Sequence, residues 1–165
     1  MDGEPYDCVI GFSEGASLAA ALLLTDAARE SPEIKPMFRY AIFLNAVNVL
    51  SPSERLGKEM AEADMRKALE AFHGEAHSQG DCSIDRVRIM SSDVMSAAIA
   101  IPTLHVIGLK DGFRDFSRDL VKQCTPSNTR VVNLPTGHEV PKGRGLETVA
   151  LEIEEALATV SLAAQ

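Results

Sequence analysis

The sequence predicts an α/β domain in which a mostly parallel sheet is sandwiched between helices in three layers. Three observations predict it. Apolar runs of strand length recur, at Tyr40-Ala41-Ile42-Phe43-Leu44 and at Pro102-Thr103-Leu104-His105-Val106-Ile107-Gly108, and such continuous runs suit parallel strands covered on both faces. Segments of helical periodicity alternate with them, as in consecutive right-handed strand–helix–strand units. The first apolar strand runs into a tight turn carrying one serine, then directly into a long helix.

That first stretch is Tyr6-Asp7-Cys8-Val9-Ile10-Gly11-Phe12-Ser13-Glu14-Gly15-Ala16-Ser17-Leu18. Gly11-Phe12-Ser13-Glu14-Gly15 matches G-x-S-x-G, the nucleophile elbow, in which a strained strand-to-helix turn lifts the serine Oγ clear of the sheet. A side chain at either glycine is expected to crowd the turn. The following helix aims its N-terminal N–H groups at the serine, where an oxyanion would develop, with the Glu14 N–H as a donor and Phe12 beside it. The competing reading is an ordinary strand–turn–helix with Ser13 as a helix cap.

Residues 15–28, rich in Ala and Leu, read as a helix that is apolar nearly all round and so well buried. Ser31-Pro32-Glu33-Ile34-Lys35-Pro36 breaks it, and the strand over 40–44 follows. Residues 51–100 read as a lid or insertion between two strands. Helical periodicity runs through 53–72, with its many charges on a solvated face. His73 and His77 have the i, i+4 spacing of a helical metal pair, but Gly74 between them and the lack of an HExxH context favour a solvated loop. The methionines and isoleucines of 87–101 suit core packing or the lining of an apolar acyl pocket. Alternation then resumes. A strand over 102–108 turns at Leu109-Lys110-Asp111-Gly112, a helix covers 113–124, and a short strand covers 130–134. The loop Pro135-Thr136-Gly137-His138-Glu139-Val140-Pro141 leads to a last amphipathic helix over 146–160. A chain of 165 residues is expected to form one domain over 1–165.

Composition narrows the function classes. A net charge of −8 argues against nucleic acid or an anionic membrane as partner. The longest apolar run, 16–24, is too short to span a bilayer, and Met1-Asp2-Gly3-Glu4-Pro5 does not read as a secretory signal. Cys8, Cys82 and Cys124 are scattered without metal spacing, which fits a reducing cytoplasmic setting and indicates no metal site.

Ser13, Asp111 and His138 fall at the carboxyl ends of successive apolar strands, the edge where open parallel sheets place their chemistry. Ser…Asp…His is the chain order of the α/β-hydrolase triad. Ser13 is then the nucleophile, His138 the base that takes its proton, and Asp111 the acid that fixes the imidazole tautomer. Asp115 is the alternative acid, whereas His105, inside a strand, reads as core.

Val9-Ile10-Gly11-Phe12-Ser13-Glu14-Gly15-Ala16, Ile101-Pro102-Thr103-Leu104-His105-Val106-Ile107-Gly108-Leu109-Lys110-Asp111 and Thr136-Gly137-His138-Glu139-Val140-Pro141 together resemble the FSH-type serine hydrolases. This is a fungal-rich α/β-hydrolase family with thioesterase-like members that release polyketides. By motif position Ser13, Asp111 and His138 match its nucleophile, acid and base. The resemblance implies hydrolysis of a small-molecule acyl ester or thioester, free or carrier-protein-bound, in polyketide or other secondary metabolism and without a cofactor.

Family members carry further strands before the elbow, with a His-Gly-type loop that lends a second oxyanion donor. The sequence here begins at the elbow strand, so the sheet is expected to lack the usual N-terminal strands and to leave the elbow strand at an edge. A fragment, a homodimer paired through that edge, and a non-hydrolytic descendant that binds, cyclises or isomerises a ligand all remain open, as does a pure interaction subunit.

Overall fold

The computed structural model describes residues 5–29, 36–51, 53, 55–61 and 88–163. Strand β1 (Val9–Phe12) leads into helix α1 (Glu14–Ala27), and strand β2 (Ala41–Leu44) returns beside β1. Two short strands, β3 (Lys58–Glu59) and β4 (Arg88–Ile89), pair antiparallel as a separate ribbon. Strand β5 (Thr103–Gly108), helix α2 (Arg114–Lys122), strand β6 (Thr129–Leu134) and helix α3 (Arg144–Ala163) complete the order.

The main sheet runs β1-β2-β5-β6, and every pairing in it is parallel. Alternation along the strands sends side chains to two separate cores. On one face Ala41 and Phe43 meet Ala16, Ala19, Ala20 and Leu24 of α1 and Leu120 of α2. On the other, Ile42, Leu104, Val106 and Val132 meet Val149 of α3, with Ile153 packed alongside. These are the three layers, with α1 and α2 on one side of the sheet and α3 on the other. The fully buried β5, interior in the sheet, accounts for its unbroken apolar run.

Helix α1 is less enclosed than its composition suggests, since Leu18 is 63% exposed. Only one stripe of an outer-layer helix reaches the sheet, and the small Ala side chains of that stripe let it approach closely. The helix expected over 53–72 lies mostly outside the described residues, and its described start is a turn followed by the two-residue strand β3 rather than a helix. Gly57, at φ 77°, breaks the backbone, and Lys58 and Glu59 pair with Ile89 and Arg88 instead. The helical spacing of apolar residues that begins at Leu56 and Met60 gave way locally to a β ladder. Met90 and Ile99 are buried in the α1-side core, with Met95 packed against it, so these side chains serve packing. His73, His77 and Cys82 lie outside the described residues.

Candidate active site

Gly11 stands one residue before the end of β1, at a point where nothing larger fits. A Cβ there would stand 2.5 Å from both the Cα and N of Ala16, the start of α1 folding back over the strand end. Gly15 differs from expectation: a Cβ on it would meet no described atom within 4 Å, so the turn is crowded on its strand side alone. Between them Ser13 sits at φ 55°, ψ −122°, a region costly for a residue with a side chain. Its N–H is tied to Leu44 O at 2.9 Å, and its carbonyl accepts the N–H of Ala16 and of Ser17, so the backbone is held from both sides. The Ser13 side chain makes no helix-capping bond, which removes the capping role. Its Oγ instead lies 2.8 Å from His138 Nε2.

The turn after β5 supplies the acid. Asp111 is buried, its backbone N–H bonded to Gly108 O at 3.1 Å. One carboxylate oxygen, Oδ1, accepts the Phe113 N–H at 2.8 Å, and the other, Oδ2, lies 2.8 Å from His138 Nδ1. A carboxylate can only accept, so His138 carries its proton on Nδ1 and donates it to Asp111. Nε2 then presents a lone pair to the Ser13 hydroxyl. This is the arrangement in which an imidazole can take a proton from a serine as the serine attacks a carbonyl carbon.

The loop carrying His138 is zipped to the same turn. Leu109 N–H bonds Leu134 O at 2.8 Å and Lys110 N–H bonds Thr136 O at 2.9 Å, extending the β5–β6 ladder beyond the strands. Gly108 permits this approach, for a Cβ there would come within 2.4 Å of Gly137 O. Two aromatic rings flank the imidazole. Phe12 lies with its centroid 5.2 Å from that of His138, and Phe113 stands edge-on at 5.3 Å. Glu14 is the first residue of α1, so its N–H has no acceptor within the helix and points to the pole of the helix dipole.

Sequence reasoning therefore named three residues that the fold brings together from three strand ends. Asp115 is not among them, being exposed and paired with Arg118 at 3.3 Å. His105 is in the core, where burial lowers its pKa to about 4. Asn45, at the end of β2, and Phe113 were not foreseen. Asn45 had one usable signal, an amide residue placed just after an apolar strand, where a left-handed backbone is common. Among the described residues no group of three His, Cys, Asp or Glu could hold a metal, and no helix is long and apolar enough to cross a membrane.

The chain is similar to known proteins both in sequence and in fold. The family described as "Serine hydrolase (FSH1)" matches residues 1–148. The chain is 27% identical over 139 residues to the esterase FPY3 of Fusarium mangiferae, covering 84% of this chain and 50% of the relative. It is 29% identical over 136 residues to the hydrolase phiM of a fungal species, covering 82% and 50%. The chain thus spans about half the length of the curated relatives it matches. Among solved structures, the monoacylglycerol lipase of Paleococcus ferrophilus superposes with a TM-score of 0.52 at 14% identity, over 93% of this chain and 69% of that one. An esterase of Rhizomucor miehei gives 0.51 at 12% identity, over 93% and 52%. These two likenesses carry the fold, that of the α/β hydrolases.

Proposed function

The chain belongs to the FSH1 serine hydrolase family, and from that premise we propose that it cleaves a small-molecule carboxylic ester or thioester through an acyl-Ser13 intermediate. Ser13 Oγ attacks the carbonyl carbon while its proton passes to His138 Nε2, and Asp111 stabilises the imidazolium from the Nδ1 side. The Glu14 N–H, at the positive end of α1, donates to the oxyanion of the tetrahedral intermediate. As the intermediate collapses, the carbon–oxygen or carbon–sulfur bond breaks and His138 returns the proton to the departing alcohol or thiol. A water then enters by the same base and releases the acid.

One observation carries this reading: a serine at φ 55° whose Oγ is 2.8 Å from an imidazole that a buried carboxylate orients. The resemblance supports secondary-metabolite substrates, among them thioesters held on a carrier protein, and the scattered cysteines support a cytoplasmic setting for one domain over 1–165. Intact mass after fluorophosphonate treatment tests the chemistry. A single adduct on Ser13, absent from Ser13→Ala, is expected, followed by turnover in a panel of acyl esters and thioesters. A native chain that takes no adduct would sink the reading.

A second reading has its own observation. Among the described residues the Glu14 N–H is the oxyanion donor assigned above, and catalysis with one such donor fewer typically lowers kcat by about 10²–10³. A ligand-binding or isomerising protein that uses His138 and Asp111 without acylating Ser13 follows from it, and binding of an acyl ligand without turnover would favour that account.

A further inference from the structure

We propose that Asn45 is the positioning residue for His138, a role that rests on the reading of Ser13, His138 and Asp111 given above. Asn45 follows β2 at φ 45°, and it and Ser13 are the two residues other than glycine with positive φ among those described. Asparagine is one of the few side-chain-bearing residues that adopt this conformation readily. Its side chain is buried and every polar atom of it is used. Oδ1 accepts the Gly108 N–H at 2.8 Å, at the end of β5. Nδ2 donates to Glu139 O at 2.9 Å and, more weakly, to Gly137 O at 3.4 Å.

Those two carbonyls stand on either side of His138. The Glu139 N–H also bonds Gly137 O at 3.0 Å, which makes His138 the centre of a three-residue turn. One amide therefore holds both ends of the turn that carries the imidazole and ties it to the strand that leads to Asp111. The task needs two donors and one acceptor in a plane. A carboxylate offers no donor and a hydroxyl offers one.

The next two residues extend the grip. Ser117 of α2 donates its hydroxyl to Ala46 O at 2.8 Å. Ser17 of α1 accepts the Val47 N–H at 3.1 Å and lies 3.3 Å from the Ser13 carbonyl. Three consecutive residues thus clasp the helix behind Ser13, the helix behind Asp111 and the turn bearing His138. Asn45 bonds neither the Ser13 hydroxyl nor the Asp111 carboxylate; its side chain reaches the reaction through the turn bearing His138 and the Gly108 amide ahead of Asp111.

Asn45→Gly tests this, because glycine keeps the left-handed backbone at no steric cost and removes only the amide. Asn45→Asp, with the same shape and the acceptor but no donors, is the second variant should the first not fold. A displaced imidazole is expected to lower kcat about 10²-fold with KM little changed. The loss should vanish in a His138→Ala background, where nothing remains to position. A native rate in either variant, or the same proportional loss in the His138→Ala background, overturns the proposal. Long-range ¹H–¹⁵N spectra of the imidazoles need no turnover. They should show His138 held as the Nδ1–H form in the native chain and mixed between both tautomers in the variants, and a variant locked in the native tautomer also overturns it. Failure of the underlying reading looks different: Ser13→Ala and His138→Ala would then match the native chain in activity, and the spectra alone would decide the role of Asn45.

Discussion

His105 is the side chain whose chemistry is turned most firmly away from the site. It is buried in β5 beside Phe43, its Nδ1 has no hydrogen-bond partner among the described residues, and its Nε2 lies 3.5 Å from Cys124 Sγ. Burial lowers its pKa to about 4, so the unfolded chain binds a proton there that the folded chain refuses. The stability this gives is complete above the unfolded value near 6.5 and is lost as pH falls to about 4, amounting to about 3 kcal/mol. Urea unfolding across that window should show a falling stability in the native chain and a flatter profile in His105→Leu. At the site itself, Asp111→Asn should leave the fold in place and lower kcat about 10⁴-fold by favouring the wrong imidazole tautomer, as kinetics against any accepted ester would show. Ser13, Asp111 and His138 could be read from the sequence because each is a reactive residue at a strand end. Asn45 offered only its place after an apolar strand, since its importance lies in two backbone carbonyls more than ninety residues away.

The elbow is the element in which sequence and geometry bear most directly on each other. Gly11→Ala forces a Cβ against the backbone of Ala16 and should cost at least about 1–3 kcal/mol together with the reactivity of Ser13. Gly15→Ala meets open space in α1 and should be neutral or stabilising by up to about 1 kcal/mol, with labelling of Ser13 retained. Thermal melts of the two variants beside native protein give the contrast directly. One motif thus holds two glycines of opposite standing, and the pattern alone cannot separate them, because only the path of α1 over β1 decides which is crowded. The same limit explains residues 55–61. A helical spacing of apolar residues was visible there, whereas the partner strand Arg88–Ile89 lay some thirty positions away. The strands β2 and β5 were readable because their burial is written as nearly continuous apolar runs, whereas β6 carries Arg130 and Asn133 and buries only Val132 and Leu134.

At the scale of the molecule, β1 stands at one edge of the sheet that the described residues form, and Ile10 in it is 63% exposed on the face that α1 does not cover. We propose that a second copy pairs along this edge, in line with the tendency of uncovered apolar edges to recruit strands. Sedimentation should then give a dimer for the native chain and a monomer for Ile10→Lys, while a native monomer counts against it. The layered α/β plan was readable from alternation alone, but the order of strands in the sheet was not, since sequence carries no direct record of which strands are neighbours. That order has a consequence for how the site comes into being. Ser13 follows β1 at one edge of the sheet and His138 follows β6 at the other, 125 positions later, yet their reactive atoms stand 2.8 Å apart. Three strand interfaces lie between them, and a slip at any one displaces a strand end by about 3.3 Å or more. The hydroxyl–imidazole bond is therefore a gauge of register across the whole sheet. In a refolding chain, helical signal can return while that gauge still reads open, and acylation of Ser13 marks the moment when all four strands have found their places.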